Sequence, residues 1–514
     1  MVIIMKTITP EQGGISSKAI ETYLSVLEGA GLSTHNIIIE RGGKILFEKY
    51  YPPFHENFLH REYSQTKSLV ALAVGFALQD GLFLLDDPIG MYFPEETKGI
   101  ADTAMAQQTI RQMLMMSTPK RGENWFAART DDRVRHYFAA TQTSAAPGSR
   151  FSYDSTGSFI LCALVERLTG MRFIAYLRKK LFDKIGVSEG VTCLSCPGGH
   201  SWGDSAVLAT ARDMMKICRF VLDGGKVMQD DGSEEQLLDA SFLKEATSAL
   251  IPTAGIETHW RDQFGYGYQI WKTQGDGFFF NGMGCQFSVA VPEKDMVFIY
   301  NGDNQGIDIA GDTIIRNFFE IIVAGAGDAG VCNTGVSDTV KPLEEATQAQ
   351  QSLRTYADSL CLMAARGNCT SPLISEINGV RFCLYENPMG IRSMLLTFGD
   401  NSMLTYENAQ GEKCIPFGMC ENRFGVFPEE GYAREVGSVP CPGNFYQCAS
   451  SAAWQDDHTL LLDVQIIDAY FGRLWITLSF EGDRIHVEMR KVAEDFLWTY
   501  EGNAAGIREA CMLG

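Results

Sequence analysis

Apolar positions recur at helical spacing over residues 16–29, 109–116, 156–169 and 210–222, each predicting an amphipathic helix. Residues 36–40 and 44–50 are apolar-rich runs of strand length separated by Arg41-Gly42-Gly43, where glycine supplies the positive φ of a tight turn. That combination predicts a β-hairpin. After Tyr63-Ser64-Gln65-Thr66-Lys67 a continuous apolar run fills residues 68–78. It is too short to span a bilayer and predicts a buried helix. Gly81 suits the position just past its end, and Asp86-Asp87-Pro88 blocks continuation.

Residues 264–271, 277–280, 285–291 and 296–301 read as strands. Residues 312–324 read as a helix with Asp312 as N-cap and Gly325 closing it. Strands therefore open and close the first region, with helices between them. A sheet that pairs the two ends of this region, with a helical lobe inserted, accounts for that order. Around 325–338 the composition shifts to Gly, Ala, Asp, Asn and Ser, as in an interdomain linker. A helix is expected over 344–364. After it come short strands at 380–385, 392–398, 402–406, 460–467, 473–480 and 484–489, with the spacing of an antiparallel barrel or sandwich. The fold class is α+β, in two domains: 1–328 and a β-rich accessory domain at 344–514, joined by a linker at 329–343.

Bulk properties narrow the function. A chain of 514 residues exceeds one comfortable core, which agrees with a multidomain reading. A net charge of −20 argues against binding a phosphate backbone, so no nucleic-acid partner is expected. Residues 1–6 lack the apolar core and cleavage site of a secretory signal, and no membrane anchor is visible. A cytoplasmic location is the expectation. The fourteen cysteines are scattered, as free thiols in a reducing compartment would be. Cys193 and Cys196 form a CxxC with His200 nearby, but no second ligand pair stands at metal-binding spacing.

Three motifs carry chemistry. In Ser64-x-x-Lys67 the residues lie three apart on a helix and share a face, so the lysine projects beside the serine hydroxyl. A serine becomes a nucleophile when a neighbour takes its proton, and a lysine backed by apolar residues suits that work. At the first helical turn the Ser64 N–H is among the unpaired donors, useful for an oxyanion. The same letters also describe an N-capping serine followed by a surface lysine. The second motif is Phe151-Ser152-Tyr153-Asp154-Ser155-Thr156-Gly157, where Tyr153 on a loop could shuttle a proton or simply anchor the loop. The third, Asn281-Gly282-Met283-Gly284-Cys285-Gln286, leads into a strand. Its glycines admit close approach to backbone, and the Cys285 N–H is a second oxyanion donor if this is more than a glycine turn.

Together the three resemble the serine β-lactamase and penicillin-binding-protein superfamily, in its class C, esterase and D-aminopeptidase branch. The interval between Ser64 and Tyr153 is similar to that of the branch. Further matching text includes Gln79-Asp80-Gly81, Leu85-Asp86-Asp87-Pro88, Pro147-Gly148, Glu166-Arg167-Leu168-Thr169-Gly170, Thr210-Ala211-Arg212-Asp213-Met214 and Tyr266-Gly267-Tyr268. The resemblance covers roughly residues 15–325. It implies that Ser64 is acylated and that Lys67 and Tyr153 manage its proton. It implies oxyanion donors at the N–H groups of Ser64 and Cys285, with Ser155, Gly282, Met283 and Gly284 binding substrate. No metal or organic cofactor is implied.

This sequence departs from the pattern in three places. Ser155 ends the tyrosine motif where penicillin-recognising members have Asn, a form that looks like the 6-aminohexanoate-dimer hydrolase branch. Gly282 stands where relatives carry Lys or His for a substrate carboxylate, which argues against strong β-lactamase activity. Leu114-Met115-Met116-Ser117-Thr118 occupies the place of a Leu-Leu-x-His-Thr-Ser-Gly segment. The expected function is a serine hydrolase cleaving an amide, peptide or ester bond in a small molecule or short peptide. The alternative is a catalytically weak binding or sensing module that keeps the pocket. By analogy with similar hydrolases, the C-terminal domain is expected to act as a lid or specificity element.

Overall fold

The computed structural model describes residues 6–101, 103–119, 132–140, 145–229, 231–327, 340–433, 435, 440–492, 497 and 499–512. It divides into two units. The first comprises Met1–Asn304, Asp308–Cys361 and Arg434–Gly437, and the second Gln305–Ile307, Leu362–Ala433 and Ser438–Gly514.

The first unit is built on a sheet of seven strands: β1 (Lys6–Thr7), β2 (Thr34–Arg41), β3 (Lys44–Tyr50), β4 (Trp271–Lys272), β5 (Phe278–Gly282), β6 (Gln286–Val291) and β7 (Met296–Gly302). Their order across the sheet is β1-β3-β2-β7-β6-β5-β4. The β2–β3 hairpin turns on Gly42 and Gly43, at φ 57° and 74°, where a Cβ would be strained. Antiparallel pairing of β2 with β7, Ile38 opposite Ile299, joins the early and late parts of the region. The helical segments lie between them in sequence, as the order of elements predicts.

The same unit holds the helices α1 (Ser17–Gly29), α2 (Gln65–Gln79), α3 (Ser155–Thr169) and α4 (Ala211–Leu222). In α1 the Ser16 hydroxyl caps Lys18 N–H at 3.1 Å, and Ile20, Tyr23, Leu24 and Leu27 turn inward. In α4 Thr210 and Asp213 form a reciprocal capping box. Helix α2 differs: residues Gln65 to Ala77 are all buried, and it lies against α3, β5 and β6. A helix without a solvent face must be central.

Three expectations need correction. Residues 264–271 do not form a strand; only Trp271 enters the sheet, because Gly265 (φ 102°) and Gln269 (φ 56°) break the extended path. Asp312 is not an N-cap. It lies inside Ala310–Asn317, and its carboxylate instead accepts from the Trp260 and Arg261 N–H groups at 3.0 and 3.2 Å. That helix runs on as a wider π-type turn over Phe318–Val323. A helix at Val340–Ser359, α5, groups with the first unit, burying Leu353 and Ala357 and bonding Gln350 to Glu11 at 2.7 Å. The expected domain start at 344 thus falls inside a helix of the first unit. Residues 329–339 of the expected linker lie outside the described residues.

The second unit is a nearly closed β-barrel formed by a sheet of eleven strands. Its strands show period-two burial, as at Arg484–Val492, where Ile485, Val487 and Met489 point inward between exposed neighbours. Strands at Gly411–Pro416, Arg423–Tyr432, Pro440–Trp454 and Gly502–Arg508 were not expected from the sequence. They are rich in Gly, Pro, Ser, Ala and charged residues, so barrel pairing rather than propensity makes them strands. No helix among the described residues is long and apolar enough to cross a membrane.

The expectation of free thiols fails at one pair. Cys369 and Cys420 form a disulfide with Cα atoms 5.5 Å apart, closing a sequence separation of 51 residues. Tertiary folding brings them together, which spacing alone does not reveal. Peptide mapping of alkylated, unreduced protein is expected to recover these two cysteines on joined peptides that separate on reduction. Recovery of both as singly alkylated thiols would contradict the pairing.

Candidate active site

The segment leading to Ser64 is clamped before the helix begins. His60–Arg61 pairs antiparallel with Val207–Ala209, and Glu62 N–H donates to Val207 O at 2.9 Å. The Thr66 hydroxyl accepts from Val207 N–H at 3.0 Å, and Arg61 Nε donates to Ser205 O at 3.0 Å. Residues 204–207 therefore run alongside the start of α2. Between the clamp and the helix, Tyr63 takes a left-handed φ of 44°, uncommon for a non-glycine residue. This bend delivers Ser64 to the N-cap position of α2, and its side chain does not cap the helix.

Lys67 lies one turn on and is 1% exposed. Its Nζ donates to Ser64 Oγ at 2.7 Å and to the backbone carbonyl of Asp204 at 2.7 Å. The same Nζ stands 5.2 Å from the Tyr153 ring centroid. Tyr153 is 40% exposed and stacks on Trp271 with centroids 5.9 Å apart. The fold thus gathers Ser64, Lys67 and Tyr153 at one place.

The loop carrying Tyr153 is pinned on both sides. Ser152 N–H donates to Met116 O at 2.7 Å, and Asp154 N–H points at Met116 Sδ at 3.2 Å. The Asp154 carboxylate caps α3 at Thr156 N–H (3.1 Å) and accepts from Thr118 Oγ1 at 2.8 Å. The unusual 114–118 segment therefore does a defined job: Met116, at φ 53°, and Thr118 hold the tyrosine loop. Ser155 opens α3 two positions after Tyr153.

Gly282 ends β5, and Met283, Gly284 and Cys285 form the turn into β6. A Cβ on Gly282 would stand 2.3 Å from Glu62 O, so the turn is pressed against the chain just ahead of Ser64. Gly284 and Cys285 both take left-handed backbone, at φ 78° and 73°. Met283 is 48% exposed.

Beneath these elements lies a buried polar cluster that motif reading missed. Glu62 accepts from Gln65 Nε2 at 2.6 Å and from Asn301 Nδ2 at 3.2 Å. Asn301 Nδ2 also donates to Gln286 Oε1 at 3.0 Å, and Ser288 Oγ to Gln65 Oε1 at 2.6 Å. Burial without a cation pushes the Glu62 carboxyl well above its ordinary value, with the Asn301 and Gln65 amides opposing only in part. Asp204, also buried, is raised by desolvation against the opposing charge of Lys67. Asp262, which accepts from Asn281 Nδ2 at 3.4 Å, is raised to about 7, again by burial. Only a fold can report such burial.

His200 Nδ1 stands 3.0 Å from Glu166 Oε2, and burial pushes both the Cys193 and Cys196 thiols up. Among the described residues no group of three or more His, Cys, Asp or Glu is arranged to hold a metal.

A family model described as Beta-lactamase matches residues 27–306. The chain is 26% identical to the 6-aminohexanoate-dimer hydrolase of Paenarthrobacter ureafaciens over 276 residues, 49% of this chain and 70% of that protein. Among solved structures, a penicillin-binding protein from Bacillus halodurans is 18% identical with a TM-score of 0.45, covering 58% of this chain and 99% of that one. The octameric penicillin-binding protein homologue from Pyrococcus abyssi is 13% identical with a TM-score of 0.47, covering 95% and 99%.

The raised Glu62 carboxyl sets a pH dependence of stability. From an ordinary 4.5, the unfolded chain loses this proton first as pH rises, while the folded chain retains it. Above 4.5 the folded state therefore binds more protons, and this contribution to stability is lost as pH rises through the folded value. Glu62→Gln cannot ionise. Its urea midpoint is expected to rise relative to wild type as pH is raised above about 5. Parallel curves for the two proteins would show that Glu62 ionises normally.

Proposed function

The chain belongs to the β-lactamase family, and on that premise we propose that it is a serine hydrolase acting through an acyl-enzyme on Ser64. The observation that carries this reading is the 2.7 Å contact between Lys67 Nζ and Ser64 Oγ, closed over by the Tyr153 ring. In the proposed reaction Ser64 Oγ attacks the carbonyl carbon of an ester, amide or peptide. Its proton leaves along the Lys67 contact or through the Tyr153 phenol and is delivered to the departing alcohol or amine. The carbonyl oxygen, now an oxyanion, takes hydrogen bonds from the Ser64 and Cys285 N–H groups. Water then attacks the acyl-serine by the reverse path, freeing the acid and restoring Ser64.

Similarity to a 6-aminohexanoate-dimer hydrolase supports amide or ester substrates over lactams. The site supports the same preference. Gly282 stands where carboxylate-binding relatives place a cation, and a side chain there would collide with Glu62 O. Exposed Met283 and Tyr153 offer apolar and aromatic surface instead. Small neutral or short peptide substrates suit that lining.

Intact-mass measurement after mixing with a p-nitrophenyl ester tests the assignment. Wild type is expected to gain one acyl mass and release nitrophenol, and Ser64→Ala to do neither. Tyr153→Phe is expected to lower kcat by about 10²–10⁴-fold, the usual worth of a proton-transfer group. Equal reaction of wild type and Ser64→Ala would overturn the site. No reaction of either protein with any short ester or lactam would favour a binding module.

A further inference from the structure

We infer that Gln286 is a positioning residue that sets the spacing and direction of the two oxyanion donors through a side-chain bridge to Glu62. This inference rests on the proposed roles of Ser64 and Cys285.

Gln286 is the first residue of β6, directly after Cys285, and its side chain is completely buried. Its Nε2 donates back to the carbonyl of Met283 at 3.1 Å and across to the carbonyl of Gly302 at 2.6 Å. Its Oε1 accepts from Asn301 Nδ2 at 3.0 Å, and Asn301 Nδ2 also reaches Glu62 Oε2 at 3.2 Å. Glu62 lies two residues before Ser64. The amide of Gln286 is thus tied at one end to the turn bearing Cys285 and, through Asn301, to the segment bearing Ser64.

Direction follows from peptide geometry. In a trans peptide the C=O and the next N–H point opposite ways. The Gly284 carbonyl accepts from Asn304 N–H at 3.1 Å, which turns the Cys285 N–H away from Asn304. Holding that peptide requires two consecutive left-handed residues, Gly284 and Cys285. The Gln286 amide buttresses them, since Nε2 lies 3.1 Å from where a Gly284 Cβ would be. Non-glycine left-handed backbone costs of order 1–3 kcal/mol and persists only when its surroundings enforce it. The bonds from Gln286 to Met283 and Gly302 supply that enforcement on either side of the turn.

A residue acting this way moves transition-state binding without moving ground-state binding. The test compares wild type, Gln286→Met and Asn301→Leu, which sever the bridge from opposite ends. Asn301→Leu stands in if Gln286→Met does not fold, as judged by circular dichroism. Two quantities are read: kcat and KM on a p-nitrophenyl ester, and the Kd of phenylboronic acid, which forms a tetrahedral adduct on an active serine. Both variants are expected to lose about 10–10²-fold in kcat, the scale of a displaced catalytic group. KM should stay unchanged and boronate affinity should fall in parallel with kcat. Unchanged kcat and boronate affinity in a folded variant would overturn the positioning role while leaving Ser64 intact. Absence of any boronate adduct or ester turnover in wild type would overturn the nucleophile reading, and this inference with it.

Discussion

A lysine side chain removed from water must find hydrogen-bond partners nearby, or the fold cannot tolerate it. Lys67 meets that demand with Ser64 Oγ, the Asp204 carbonyl and the face of Tyr153. Among the described residues it forms no ion pair with a carboxylate, so these modest partners must be placed well. Much of the local architecture serves that end. The 204–207 segment lies along α2 so that a carbonyl faces the lysine, and the His60–Arg61 pairing with Val207–Ala209 keeps it there.

Backbone strain is concentrated around the same point. Tyr63, Met116, Gln269 and Cys285 all adopt left-handed φ without being glycine. Tyr63 aims Ser64, Met116 receives the Tyr153 loop, and Cys285 ends the turn beside Glu62. Gln269 accepts from Ser68 Oγ through its carbonyl at 2.7 Å and from Ser158 Oγ through its side chain, while donating to Met113 O at 3.0 Å. It therefore ties α2, α3 and the helix at Ile110–Leu114 together from behind. Met116 and Gln269 are each held by several hydrogen bonds, as the persistence of strain requires.

The polar cluster beneath the site raises a related question of satisfaction. Glu62, Gln65, Asn301, Gln286 and Ser288 sit among Ile, Phe and Val of the sheet and of α2. A buried network specifies geometry when its members are paired, because every alternative leaves a donor or acceptor stranded. Here the network is neutral apart from Glu62, whose own carboxyl is driven toward the neutral form.

What the sequence determined by itself was local. The serine–lysine spacing, the Gly42-Gly43 hairpin, the Thr210 cap and the placement of Tyr153 ahead of a helix all follow from offsets of a few residues. Periodicity, turn chemistry and helical geometry read those offsets directly. The tertiary structure decided everything that joins distant segments. The acceptor from Asp204 is a backbone carbonyl, which no letter announces. The carboxylate of Asp312 caps a segment some fifty residues earlier instead of its own helix, and Cys369 meets Cys420 only because barrel segments converge. Gly282 looks like a missing cation in sequence; in the fold it is a contact with Glu62 O too close for any side chain. Burial and cross-chain hydrogen bonding are properties of arrangement, so they exist only once the chain has folded.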